Sequence, residues 1–334
     1  MVTMQDVATR AGVTKQTVSN VVTGRAAVRP DTAARVRAAI ADLGYKPNLV
    51  ARSLATGTTM TVGLIVPTVA SPFYSEIVEE VENVLDEHGY HLVLCTTRAD
   101  GERAKRQLAG LSSRLVDALL IAGDRDLTDP LALLPDPRFP IALCAWETQV
   151  PDSLPVVTID YEHAGFLAGK HLRSLGHQRV AAVVELPTHQ RRLAGFRNAF
   201  AQHRVQVRDD MVFAPPEATP AGGFAAAQAA LAADPSLTAI FASHDLLALG
   251  VLEAVKESGR SVPGDVSVIG FDDTAPVGLT HPALTAVAIP SREMAQQATN
   301  LLLRAISEGT APVNSAQLLR TSLVIRDSTG PAKR

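Results

Sequence analysis

From Thr61 onward, short apolar runs and longer amphipathic stretches take turns along the chain. The runs TVGLIVP, HLVLCTT, DALLIAG, IALCAW, VVTID, RVAAVVEL, AIFAS, VSVIGFDD and LTAVAIP are too short for core helices and read as buried strands. Between them, positions 74–88, 162–174, 191–203, 245–258 and 292–307 repeat apolar residues every three or four places, the period of a helix with one buried face. Strand–helix alternation is the pattern of parallel doubly wound sheets, and about ten strands in this length predict two such layers.

The first sixty residues follow a different rhythm. VTMQDVATRAGVTKQTV reads as helix, tight turn, helix. Thr3 and Asp6 have the spacing of a capping box, Gly12 permits the turn, Val13 fills the corner, and Thr14 caps the second helix with Thr17 at its third position. A third helix is predicted from Asp31 to Leu43, with Val36, Ile40 and Leu43 as its buried stripe and Gly44 as its stop. On the second helix Val18, Val21 and Val22 share one face, while Lys15, Gln16, Ser19 and Asn20 share the other.

Charge changes what that polar face means. The whole chain carries a net −3. Residues 1–60 nevertheless hold eight Lys/Arg against Asp6, Asp31 and Asp42, so a basic head sits on an acidic body. A basic head suits a polyanion. In a helix-turn-helix the second helix enters the DNA major groove, where Gln and Asn can read adenine, Lys can read guanine, and Thr17 can donate to a phosphate. Thr3, Thr14, Lys15, Gln16, Thr17, Ser19 and Asn20 are therefore the candidate DNA contacts of the head. The alternative is a small three-helix bundle with a polar surface. No apolar run approaches the length of a membrane span and the N-terminus has no apolar signal segment, so a cytoplasmic location is expected. Cys95 and Cys144 lie singly in strand-like runs, with neither metal spacing nor a CxxC pair, so no metal or cofactor is expected.

DVATRAGVTKQTVSNVV followed by RVRAAIADLGYKPNLVARSL resembles the lactose-repressor (LacI/GalR) family of bacterial transcription regulators, and the likeness extends over nearly the whole chain. It implies that Lys15, Gln16 and Asn20 are base-reading positions, although family members commonly carry arginine where this chain has Asn20. It also implies an α-helical helix-turn-helix head over 1–46, a hinge over 47–60, and a body over 61–334. That body is periplasmic-binding-protein-like α/β, of two doubly wound parallel-sheet subdomains. One spans about 61–159 and 289–318, the other about 160–288 and 319–334. The hinge, PNLVARSLATGTT, is too short to hold a helix alone in water and reads as a flexible linker. The resemblance implies instead that it forms paired helices on DNA, where Leu54 wedges into the minor groove with Asn48 and Arg52 beside it. A paired wedge requires a homodimer on a pseudo-palindromic operator.

Ligands of open α/β sheets bind outside the carboxyl ends of strands. Strand ends here offer Phe73 and Tyr74 in SPFY, Arg98, Trp146, His244 and Asp272, with Arg192 on the helix after the sixth strand. Aromatic faces with an arginine and an aspartate suit a polyhydroxylated ligand, such as a sugar. Asp245 and Asp273 can equally cap the helices that follow, and for Asp245 the cap is the preferred reading. Family sugar binders often place an aspartate where this chain has Ala145, followed by Trp146 and Glu147, and an aromatic where it has Ala218. A purine or nucleoside stacked on Phe73 is therefore a second reading. A transporter's solute-binding protein would share the body but needs an export signal where the basic head stands. No GxGxxG, P-loop, GxSxG or HExxH occurs, so no enzyme is expected.

The hinge can be tested directly. Leu54→Ala should leave operator affinity unchanged if 47–60 is a tether. If Leu54 is buried between base steps, the same change should remove roughly 1–3 kcal/mol per copy. Titration of operator and scrambled duplex at one salt concentration separates the two, with loss confined to the operator as the expected result.

Overall fold

The computed structural model describes residues 2–24, 26–46, 57–98, 100–113, 115–123, 139–148, 154–309 and 316–333. In the head, α1 (Met4–Ala11), α2 (Lys15–Thr23) and α3 (Pro30–Leu43) enclose a small core in which Val7, Ala8, Val18 and Val36 are fully buried. The capping box is formed: Thr3 N–H donates to Asp6 Oδ2 at 2.8 Å and Asp6 N–H to Thr3 Oγ1 at 3.3 Å. Gly12 takes the left-handed conformation that ends α1, and Thr14 Oγ1 accepts from Thr17 N–H at 3.1 Å to start α2. The third helix starts one residue earlier than Asp31, because Pro30 suits a first helical position with no N–H to satisfy. Its buried stripe is Ala33, Val36 and Ala39, with Ile40 and Leu43 half-buried at its margin.

The body contains two six-stranded sheets. The first has the order β11-β5-β4-β3-β1-β2, with β1 Thr61–Val66, β2 His91–Thr96, β3 Ala118–Ala122, β4 Ile141–Cys144, β5 Val156–Ile159 and β11 Ala316–Leu319. Every pairing in it is parallel, as in Leu64 opposite Leu120. The second has the order β12-β10-β9-β8-β6-β7, with β6 Val180–Val183, β7 Val212–Phe213, β8 Ala239–Ala242, β9 Ser267–Asp272, β10 Thr285–Ala288 and β12 Ser322–Val324. Here β12 runs antiparallel to β10. The nine apolar runs all become strands. The three unforeseen ones are short and lie at sheet edges, where an alternating or buried pattern has no length to develop.

Helices α4 (Pro72–Glu87), α5 (Gly101–Ser112), α6 (Tyr161–Ser174), α7 (Gln190–Ala201), α8 (Pro220–Ala233), α9 (Asp245–Glu257), α10 (Ala275–Gly278) and α11 (Ser291–Glu308) cover the sheets. The chain leaves the first sheet after Ile159, returns to it through α11 after β10, and crosses again between β11 and β12. One core cluster runs through both halves, from Val62, Leu64 and Ile77 across Tyr161 to Phe196, Phe241 and Phe271. Phe196 and Phe241 stack with ring centroids 4.6 Å apart. No helix among the described residues is long and apolar enough to cross a membrane.

The crossing of α6 and α7 depends on two glycines because the backbones nearly touch. A Cβ on Gly195 of α7 would lie 1.8 Å from the Glu162 carbonyl oxygen of α6, and one on Gly165 of α6 would lie 2.0 Å from the Arg192 carbonyl oxygen. This crossing sets the position of Arg192 on the first turn of α7. Gly195→Ala should therefore separate α6 from α7 and destabilise the body by about 1–3 kcal/mol or more, the cost of overpacking. Urea unfolding followed by far-UV circular dichroism measures it; a cost below about 0.5 kcal/mol would mean the helices part freely.

Candidate functional site

The carboxyl ends of β1, β4, β6, β8 and β9 converge on one cleft between the two sheets. From the first half come Thr68, Ser71, Phe73, Tyr74, Ala145 and Glu147; from the second come Glu185, Thr188, His189, Arg192, His244 and Asp272. The open interior is about 100 Å³, room for several waters. Ala145, directly after β4, and Asp272, the last residue of β9, have φ of 51° and 80°. A side chain in this left-handed region costs energy, and such outliers cluster where a site needs a particular direction.

Arg192 is the centre of the cleft and is only 5% exposed. Its Nε donates to Glu147 Oε2 at 2.8 Å, and its Nη1 donates to the Ser243 carbonyl at 2.6 Å and to Asp272 Oδ1 at 3.3 Å. The guanidinium lies over the rings of Phe271 and Tyr161, 4.3 and 4.9 Å from their centroids. Burial works against its charge, yet the Glu147 and Asp272 carboxylates outweigh that and hold its pKa above the ordinary arginine value. Burial pushes the Asp272 carboxyl up to about 6, with Arg192 pulling the other way.

Two imidazoles complete the second half's wall. His189 Nδ1 lies 2.9 Å from Ser243 Oγ, and its ring meets that of His244 edge-to-face at 5.6 Å. His244 is the N-cap of α9, with Nδ1 accepting a long 3.4 Å bond from Leu247 N–H. That arrangement leaves the proton on Nε2, 3.5 Å from Glu185 Oε2. Asp245, expected as the cap, is instead the first residue of α9. Its carboxylate accepts from Leu246 N–H and from the Thr274 hydroxyl.

Of the seven ligand candidates, the fold gathers Phe73, Tyr74, Arg192, His244 and Asp272 at the cleft. Trp146 and Arg98 do not belong with them. Along β4, Ile141 and Leu143 face the outer cluster while Ala142 and Cys144 face the inner one. Left-handed Ala145 interrupts this alternation and stays inward, so Trp146 turns outward among Ile65, Leu143, Leu154 and Val156, 1% exposed. Arg98 is exposed on the turn after β2, held by its N–H to the Pro67 carbonyl, outside the cleft's lining. Phe73 reaches the wall but is 5% exposed, packed edge-to-face against Tyr74 at 5.2 Å. Glu147, Glu185, Thr188, His189 and Tyr161 also line the cleft. Glu185, the first residue after the RVAAVV run, was open to the same strand-end rule that found Asp272.

The head presents a second surface. Lys15 and Gln16 are exposed, while Thr17, Ser19 and Asn20 are half-buried on the same helix. Gln16 Nε2 donates to Asn20 Oδ1 at 3.1 Å, which aligns two amides along one face. The Thr3 and Thr14 hydroxyls are engaged as caps, and Thr14 Oγ1 lies 2.9 Å from Thr17 Oγ1. Asn48, Arg52 and Leu54 lie outside the described residues.

Residues 3–48 match the bacterial regulatory proteins of the lacI family, and residues 170–329 match a periplasmic binding protein-like domain. The chain is 35% identical over 311 residues to the HTH-type transcriptional repressor PurR of Pectobacterium carotovorum subsp. carotovorum (strain PC1), covering 92% of this chain and 91% of that one. It belongs to the LacI family. The lac repressor dimer bound to operator and the anti-inducer ONPF superposes with a TM-score of 0.87 at 31% identity, over 98% of this chain and 99% of the repressor chain. The transcriptional regulator CelR in complex with cellobiose superposes with a TM-score of 0.72 at 31% identity, over 98% and 100%. As a LacI-family member the protein is a DNA-binding transcriptional regulator, and its head and body are the family's two working parts.

The buried Asp272 gives this LacI-family body a pH signature. Between its ordinary value of 3.8 and about 6, the folded protein holds a proton that the unfolded chain releases. Stability from this group therefore falls as pH rises through that window and is level above it, a change of about 2–3 kcal/mol. Asp272→Asn should flatten this limb in urea unfolding measured from pH 4 to 7. An unaltered slope would mean that Asp272 is ionised throughout.

Proposed function

We propose that the protein is a cytoplasmic repressor that binds a pseudo-palindromic operator as a homodimer, with affinity set by an uncharged, hydroxyl-rich small molecule in the cleft. The observation that carries this is Arg192, buried and hydrogen-bonded to carboxylates from both halves. A group that touches both halves senses their separation, and ligand binding there shifts the balance between closed and open bodies. The polar set around it pairs one arginine with Glu147, Glu185 and Asp272, so the cleft disfavours a phosphorylated ligand and supports one whose hydroxyls both donate and accept. The regulator–cellobiose complex among its structural neighbours has a ligand of that chemistry. A purine or nucleoside is the second reading, supported by the Tyr74 ring. It has less support, because Phe73 offers no open face and the Tyr161 ring lies under Arg192.

In the head, Lys15, Gln16 and Asn20 are the proposed base-reading residues and Thr17 a phosphate contact, with hinge residues Asn48, Arg52 and Leu54 completing the interface. Gln16→Ala or Asn20→Ala should cost roughly 1–3 kcal/mol on the operator and relax base preference at one position per half-site. Asp272→Ala should bind operator like the parent but lose its response to whichever compound, from a panel of free sugars and nucleosides, shifts the parent. Operator titration by fluorescence anisotropy measures both effects. A normal ligand response in Asp272→Ala would remove the cleft from the reading.

A further inference from the structure

The contact between Glu147 and Arg192 joins the two halves of the body. Glu147 follows β4 of the first sheet, and Arg192 stands on α7, which packs with the second. Both are nearly inaccessible, at 2% and 5%, and their charged atoms are 2.8 Å apart. Neighbouring Arg191 makes a second crossing, its Nη1 donating to the Glu147 carbonyl oxygen at 3.3 Å. One residue of the first half is thus held by two consecutive arginines of the other. A buried ion pair stabilises chiefly by what its loss would leave behind, an uncompensated buried charge.

We propose that Glu147 is an internal competitor for Arg192: a latch across the cleft that a ligand must displace, and the residue that excludes anions from it. This rests on the cleft being the effector site, as argued above. Arg192 Nε and Nη1 are taken by Glu147, Asp272 and the Ser243 carbonyl. A ligand acceptor reaches the Nε edge of the guanidinium only when the Glu147 carboxylate gives way. A ligand with adjacent hydroxyls satisfies both displaced partners, accepting from Arg192 and donating to Glu147. A phosphate or carboxylate group can satisfy only Arg192, leaving Glu147 as a buried carboxylate beside the new anion, with Asp272 close by. That arrangement is penalised twice, by desolvation and by like charge. Glu147 is therefore both a conformational restraint and a specificity determinant, and each role predicts a different measurement.

The test uses the full-length dimer without added ligand and two variants. Glu147→Gln keeps shape and removes charge; Glu147→Asp keeps charge and shortens the side chain. Amide hydrogen exchange by mass spectrometry over 141–148 and 186–193 should quicken at least about tenfold in Glu147→Gln, with Glu147→Asp falling between it and the parent. Inorganic phosphate serves as the anion probe. It should raise the melting temperature of Glu147→Gln, through Arg192, and leave the parent unmoved. Unchanged exchange in Glu147→Gln, or equal exchange in both variants, would overturn the latch. Equal phosphate stabilisation of parent and Glu147→Gln would overturn the anion barrier. Should Glu147→Gln not fold, Glu147→Asp alone decides, since exchange identical to the parent contradicts a latch whose 2.8 Å contact a shorter side chain cannot keep. None of these readings depends on identifying the effector, so a latch that fails leaves the effector-site result of Asp272→Ala standing, and the reverse.

Discussion

A single guanidinium, buried where two sheets meet, sets the terms for the rest of the body. Arg192 cannot shed its charge, so its surroundings must accommodate it. Glu147 and Asp272 provide opposite charge, the Ser243 carbonyl takes a third bond, and Tyr161 and Phe271 stack on the planar group. These five partners come from four stretches of chain, Phe271 and Asp272 together from the end of β9, and the local backbone is constrained to deliver them. Asp272 ends β9 with a positive φ, Ala145 has one two residues before Glu147, and Gly165 and Gly195 bring α7 close enough to α6 for Arg192 to reach inward.

The arrangement links packing to control. A cleft closed by apolar contact alone would respond to any filler of the right volume. One closed through ion pairs responds to chemistry, because a ligand must replace hydrogen bonds that are already made. The cleft around Arg192 is lined by three carboxylates, Glu147, Asp272 and Glu185, and it is this imbalance on which the proposal of a hydroxyl-bearing ligand rests. The imidazoles of His189 and His244 add ring nitrogens to the same wall, His189 beside the Ser243 hydroxyl and His244 at the start of α9.

The head works on another principle. Its core is a handful of small aliphatic side chains, so caps and turns contribute much of what defines it: the Thr3–Asp6 box, left-handed Gly12 and the Thr14 cap. With the core confined to one side, α2 presents Lys15, Gln16 and Asn20 outward. The Gln16–Asn20 hydrogen bond orders two flexible amides on that face, which would lower the entropy lost if they read bases as proposed.

Local patterns were sufficient for the head with its Thr3 and Thr14 caps and for nine of the strands, because capping, turns and apolar runs are read within a few residues, though the cap of α9 is His244 and not Asp245. Alternation of strand and helix likewise determined a doubly wound body, and the strand-end rule found Asp272. The helix α8 escaped because PAGGFAAAQAALAA is apolar or small on nearly every side and shows no period. Trp146 was misplaced because a left-handed Ala145 reverses the facing of the next residue, and nothing in IALCAW announces that φ. Glu147 against Arg192 was beyond reach for a different reason. The two residues are 45 positions apart and on separate halves, so their pairing exists only once both sheets have formed and met. The sequence by itself determined which chemistry the protein carries and on which elements. Only tertiary structure decided which charges share a cavity, because burial, and with it the cost of leaving a charge unpaired, is a property of the assembled fold.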